Sequence, residues 1–224
     1  MKKNGKELLG LTASELAVFM TKLGEKPYRG HQIYHSLYRE FQFDLSTMTE
    51  LPKVLRKKLA NNKISIPKLD SKQIASDATE KFLLQLEDGE KIECVLIPEK
   101  NRQTLCISTQ VGCSLNCQFC LTADIGLKRN LSSAEIVGQV LYVLFHKRLK
   151  IKSAGPTLHP KLSNIVFMGM GEPLQNLENV TKSLIILSDP EGMGMSPNKI
   201  TLSTVGLVPQ IKKLAQSPVI PNLA

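Results

Sequence analysis

Three of the five cysteines in this 224-residue sequence stand close together in "GCSLNCQFC": Cys113, Cys117 and Cys120. Disulfides consume cysteines in pairs, and a closed zinc site takes four ligands, usually as two separated pairs. No second pair follows here. His146 and His159 could complete a zinc site, but His146 falls late in a helical pattern and His159 in a Pro/Gly-rich stretch. A C-x3-C-x2-C run suits an iron–sulfur cube better, since one loop can wrap three corners and leave the fourth iron without a protein thiolate. An open iron is a place where a cofactor can bind and react.

Other residues with chemical potential are less telling by local pattern. Gly171 and Glu172 in "GMGEP" read as a tight strand-to-helix turn with an exposed carboxylate. Ser203 in "TLSTVG" reads as a strand packing residue, Glu93 in "KIECVLIPE" as a hairpin glutamate, and Cys94 and Cys106 as small apolar strand residues.

The elements around these residues fall into three regions: 1–62, 63–100 and 101–224. The first is a small basic helical module. Thr12 and Glu15 have capping-box spacing ahead of Leu16, Phe19, Met20 and Leu23, and Gly24 closes that helix. A second helix is expected from Arg29 to Phe41, and a third in "LPKVLRKKLANN". From Ser65 to about Ile97 the period changes to two, and Glu87-Asp88-Gly89 between apolar runs marks a hairpin in a small antiparallel sheet. From Gln103 onward strands alternate with helices. "TLCIST", "NIVFMGMGEP" and "KITLSTVG" read as strands, while Ser132 and Glu135 cap a helix reaching about Lys150. Further helices are expected over Leu177 to Leu187 and Val208 to Ala215. Repeated βα units imply a parallel sheet or barrel, with chemistry at the carboxyl ends of its strands. The cysteine loop and "GMGEP" both fall there.

Bulk composition bounds the partners. An apolar fraction of 42% and a charged fraction of 22% describe a globular chain, and no apolar run is long enough to cross a bilayer. The N-terminus lacks the apolar core of a secretory signal, which with few cysteines points to the cytoplasm. Net charge is +9, with 13 Lys and Arg against 7 Asp and Glu in residues 1–70 and 12 against 6 in residues 101–224. Two basic regions flanking a mildly acidic middle suit a polyanion such as RNA.

"GCSLNCQFC", with an aromatic residue before its last cysteine, resembles the radical S-adenosylmethionine (SAM) signature. "TLCISTQVGCSLNCQFCLTADIGLKRNLSSAEIVGQV", "NIVFMGMGEPLQNLENV" and "ITLSTVGLVPQIKKLA" closely resemble the RlmN-type adenine-C2 RNA methyltransferases, sisters of the Cfr type that modifies carbon 8. "KPYRGHQIYHSLYRE" and "DLSTMTELPKVLRKKL" are similar to that family's N-terminal RNA-binding module. The resemblance implies an α/β fold: the helical module and small antiparallel sheet, then the first half of a radical SAM partial (β/α)6 barrel.

It also implies roles. Cys113, Cys117 and Cys120 would ligate a 4Fe-4S cluster, with Gly171, Glu172 and Ser203 contacting SAM. Glu93 would accept the ring proton, and Cys106 would resolve a covalent enzyme–RNA adduct. The family methylates one of its own cysteines with a first SAM. A second SAM supplies the radical that activates that methyl group for addition to the adenine. Ribosomal RNA, transfer RNA and an electron donor such as a flavodoxin or ferredoxin are the implied partners. The methyl-carrying cysteine of the family lies beyond "VIPNLA", so a C-terminal truncation is expected, with three complete βα units before it. A shortened paralogue that binds RNA without turnover, and a zinc-binding structural module, are the competing expectations.

Overall fold

The computed structural model describes residues 5–100, 102–118, 120–150 and 162–224. The aromatic Phe119 and the zinc candidate His159 lie outside them.

The basic module is built from helices α1 (Ala13–Lys22), α2 (Tyr28–Tyr38) and α3 (Lys53–Leu59). Thr12 caps α1 reciprocally with Glu15: Thr12 Oγ1 accepts from the Glu15 N–H at 3.2 Å, and Glu15 Oε2 from the Thr12 N–H at 2.9 Å. These bonds satisfy two of the N–H groups that a helix start leaves without intrahelical partners. Helix α2 stops at Tyr38 rather than Phe41, because Phe41 takes a left-handed φ of 58° that no helix continues. In α3, Leu55 and Leu59 turn inward while Val54 stays 69% exposed.

The antiparallel strands β1 (Lys68–Ile74), β2 (Glu80–Gln85) and β3 (Lys91–Glu99) lead into β4 (Arg102–Cys106). A short ladder of β5 (Gln110–Val111) and β6 (Arg129–Asn130) encloses the four-residue helix α4 (Thr122–Ile125). Then come α5 (Ser133–Lys150), β7 (Asn164–Phe167), α6 (Leu177–Ser188), β8 (Ile200–Leu202), α7 (Val208–Leu214) and β9 (Asn222–Leu223). One seven-stranded sheet runs β1-β2-β3-β4-β7-β8-β9, so the antiparallel strands expected near residues 65–97 continue directly into the parallel ones. The change of sense falls between β4 and β7, which pair in parallel with Leu105 beside Ile165. Three βα units are present: β4 with α5, β7 with α6, and β8 with α7.

Alternation decides what each face of the sheet meets. Phe82, Leu84, Ile92, Cys94, Leu96, Leu105, Ile165, Phe167, Ile200 and Leu202 are buried. Tyr142 of α5 meets Phe82 edge-on with centroids 6.0 Å apart, and His146 stacks on Tyr142 at 6.0 Å. His146 therefore packs rather than reaching toward the cysteines. Each fully buried side chain of this size contributes about 1.5–3 kcal/mol.

The basic module docks on α5 and α6. Ser133 Oγ donates to the Gly10 carbonyl at 2.9 Å, and the Gly10 N–H donates to Tyr38 Oη at 2.8 Å. A Cβ at Gly10 would sit 2.3 Å from the Ala134 nitrogen, so this approach requires glycine. Lys182 pairs with Glu15 at 2.7 Å across the same seam.

Candidate functional site

The cysteine loop is tied at its base. Gln110 pairs with Asn130 and Val111 with Arg129, so residues 112–128 leave and return at one point. The Lys128 N–H closes the neck by donating to the Val111 carbonyl at 2.9 Å. Gly112 has φ +78°, and a Cβ there would lie 1.6 Å from the Gly126 carbonyl oxygen. No side chain fits between the two ends of the loop. Arg129 grips Glu135 with both terminal nitrogens, at 2.9 and 2.8 Å, and donates from Nε to Asp88 at 2.7 Å. The loop base is thus fastened to the first turn of α5 and to the β2–β3 turn. Those bonds raise the Arg129 guanidinium further above its ordinary value, the Glu135 hydrogen bonds most of all.

Inside the loop the Cys120 N–H donates to the Cys117 carbonyl at 3.0 Å, and the Leu115 N–H is directed at Cys113 Sγ at 3.4 Å. Among the described residues no three His, Cys, Asp or Glu side chains converge on a single metal ion.

Beneath the loop, β4 continues into residues 107–111, and buried polar side chains hold that segment. Gln139 of α5 accepts from the Ser108 N–H and donates to the Ser108 carbonyl, both at 2.9 Å. Ser108 Oγ donates to the Glu93 carbonyl at 2.6 Å and accepts from the Met170 N–H at 2.9 Å, joining β3 to the glycine-rich turn. Asn176 donates to the carbonyls of Thr109 and Leu131 at 2.8 and 2.7 Å. The local reading of sequence passed over Ser108, Gln110, Gln139 and Asn176. The available signal was a polar residue such as Gln139 inside the stripe of Ile136, Val140, Leu141 and Leu144.

Glu172 is 4% exposed, not the exposed carboxylate that its local pattern suggests. Its Oε1 accepts from the Leu174 N–H at 2.9 Å and its Oε2 from the Val205 N–H at 3.0 Å, bridging the ends of β7 and β8. Its own N–H donates to Gln110 Oε1 at 2.9 Å. Gly171 has φ +95°, and a Cβ there would come within 2.5 Å of Gln110 Cβ. These interactions bring Cys113, Cys117, Cys120, Gly171, Glu172 and Ser203 around one cavity of about 430 Å³. Small-molecule sites commonly span about 300–1,000 Å³.

Glu93 and Cys106 lie outside that cavity. Val95 is paired with Cys106, so Glu93, two residues earlier on β3, shares the Cys106 face of the sheet. Lys81 Nζ stands 3.0 Å from Glu93 Oε1. Burial pushes the Cys106 thiol up, partly offset by a hydrogen bond from the Met168 backbone. Burial likewise raises Cys94, whose side chain faces the opposite, helix-packed side.

Residues 6–64 match the ribosomal RNA large subunit methyltransferase N-terminal domain. Dual-specificity RNA methyltransferase RlmN of Syntrophotalea carbinolica is 45% identical over 94% of this chain and 54% of its own length. The protein of the same name from Syntrophobacter fumaroxidans is 43% identical over 95% of this chain and 60% of its own. The crystal structure of a radical SAM methyltransferase from Sphaerobacter thermophilus superposes with a TM-score of 0.84 at 39% identity, covering 97% of this chain and 62% of that one. The chain thus spans 54–62% of the length of these relatives.

Proposed function

We propose that this chain, a relative of the RlmN-type radical SAM RNA methyltransferases over some nine-tenths of its length, supplies the cofactor-binding half and an RNA-gripping module of an enzyme that methylates carbon 2 of adenine in ribosomal and transfer RNA. The observation that carries this reading is the single cavity shared by three loop cysteines, the Gly171-Glu172 turn and Ser203 at neighbouring strand ends. The donor set fits a 4Fe-4S cluster held by Cys113, Cys117 and Cys120, with its fourth iron open to SAM. When bound, that cluster supplies an electron for reductive cleavage of SAM, drawn from a flavodoxin- or ferredoxin-like donor.

The chain's own residues do the positioning. Leu115 directs its N–H at Cys113 Sγ and so orients that ligand. Glu172 is locked by two backbone N–H groups. Each carboxylate oxygen still has accepting capacity for the ammonium of SAM. Gly171 lets the backbone approach closely where any Cβ would meet Gln110. Glu93 would take the adenine ring proton at its carboxylate, beside the Lys81 ammonium. Cys106, kept as a thiol by burial, would be the group that resolves the adduct.

The deciding experiment is low-temperature electron paramagnetic resonance after anaerobic iron and sulfide reconstitution, with and without SAM. A reduced cubane signal that changes on adding SAM is expected. Replacing Cys113, Cys117 and Cys120 together by alanine should abolish it. A folded chain that yields no cluster signal overturns the reading.

A further inference from the structure

A second cavity, of about 520 Å³, lies in the helical module between α3 and residues 43–46, away from the cysteine loop. Its apolar lining comes from Phe43, Leu45, Ala60 and Ile64. Phe43 is braced edge-on by Phe145 with centroids 5.5 Å apart. On α3 the lining residues are Lys53, Arg56 and Lys57, followed by Ala60 at its C-terminal cap, a spacing of three and four that puts them on one helix face. The core-facing Leu55 and Leu59 occupy the other face.

The charges of this cavity are unbalanced. Asp44 is its one acidic lining residue. That carboxylate is turned to its own loop, accepting from the Ser46 N–H at 2.8 Å, and hydrogen bonds from the Ser46 side chain first and its N–H second hold it below the usual carboxylate range. Both ends of the Asn62 amide are also engaged, by the Lys6 N–H and the Leu59 carbonyl. Arg56 Nη1 donates to the Ser46 carbonyl, which fixes the guanidinium beside the cavity, and its buried Nε finds no partner among the described residues. Lys53 and Lys57 make no ion pair among the described residues. Elsewhere in the module Lys58 pairs with Glu25 and Lys63 with Glu87.

An apolar cavity with an aromatic wall, edged by cations one helical turn apart, combines the two parts of a single-strand nucleic-acid site. Bases need an apolar or aromatic platform, and the phosphates on either side need positive charge. An uncharged apolar ligand would leave the lysines without a role. We infer that this cavity seats the base of one unpaired ribonucleotide, with Lys53, Arg56 and Lys57 holding the adjoining phosphates. The inference rests on RNA being the substrate in the proposed function, and it assigns a contact remote from the reacting base.

The test uses the 224-residue chain and fluorescence anisotropy with a short fluorescein-labelled single-stranded RNA, alongside the same sequence as a duplex. Ala60 is an exposed lining position, so Ala60→Trp fills the cavity with little risk to the core. It should weaken single-strand binding roughly 10-fold while leaving duplex binding unchanged. Ala60→Glu, which opposes phosphate without filling the space, should act in the same direction should the tryptophan variant misfold. Lys53→Gln with Lys57→Gln should reduce the slope of log affinity against log salt for the single strand by roughly 0.7 per lysine.

Single-strand affinity untouched by both Ala60 variants overturns the inference, as does equal loss for strand and duplex. Competition by polyglutamate as strong as by RNA would assign the cavity to an acidic protein and overturn it too. Cluster formation in the same variants is the independent readout. Loss of the cluster signal with these RNA effects intact would sink the proposed chemistry and leave the cavity assignment standing. An intact cluster with silent Ala60 variants would do the reverse.

Discussion

Glu172 already carries two structural duties before any cofactor binds. Its oxygens each accept a backbone N–H, one from its own turn and one from the end of β8. In Glu172→Gln the amide nitrogen must face one of those donors, leaving a buried N–H unpaired at a cost of about 1–3 kcal/mol. Urea unfolding should register that loss, and equilibrium dialysis on reconstituted protein should show SAM binding weakened by roughly 10-fold or more, the worth of a charge-assisted hydrogen bond. Unchanged SAM affinity would remove Glu172 from the binding site. The buried thiols give a second residue-scale prediction. Burial raises both Cys94 and Cys106, so the folded chain keeps protons that the unfolded chain releases above about pH 8.5. Their contribution to stability is full below that pH and lost as pH rises toward the folded values. The urea midpoint should therefore fall between about pH 7.5 and about pH 9.5, and less steeply in Cys94→Ala. An equal slope in that variant would refute the linkage.

At the scale of elements, the cysteine loop is positioned from outside itself. The β5–β6 ladder closes its neck, Arg129 fastens the neck to α5, and Gln139 clamps the segment beneath. Gly112→Ala should leave the sheet and helices folded but spread the neck, because the added Cβ meets the Gly126 carbonyl at 1.6 Å. The expected result is a native far-ultraviolet circular dichroism spectrum with iron incorporation greatly reduced. Normal iron content would mean that the neck relaxes without disturbing the cysteines. Gln139→Leu keeps the approximate volume but removes both bonds to Ser108, stranding a buried N–H and a buried carbonyl. A loss of about 2–4 kcal/mol is expected in urea unfolding. The pairing is nearly inaccessible to local sequence patterns, since Ser108 and Gln139 are 31 positions apart.

Among the described residues the core is continuous: Leu16, Met20 and Leu37 of the helical module join Phe82, Val140 and Phe167 of the sheet and its helices. Calorimetry should show a single cooperative transition, with calorimetric and van't Hoff enthalpies agreeing. Two resolved transitions would separate the module from the sheet. Gly10→Val, at the seam where a Cβ would meet the Ala134 backbone, should lower that transition as a whole rather than split it. Among the described residues no helix is long and apolar enough to cross a membrane.

Local chemistry was written plainly in the sequence. Three cysteines in one loop, the Thr12–Glu15 and Ser132–Glu135 capping spacings, the hairpin at Asp88-Gly89 and the βα alternation each depend on neighbours within a few positions. Spacing of that kind survives in a linear string. What the tertiary structure alone decided were the relations between distant positions: Glu172 bonded to Val205, Asn176 to Thr109, Ser108 held between Gln139 and Met170. It also left Glu93 and Cys106 off the lining of the cysteine cavity, and set residues 43–46 against the cationic face of α3. Buried hydrogen bonds and packed cavities take their partners from whatever the fold brings near, and sequence periodicity does not encode which distant partner that will be.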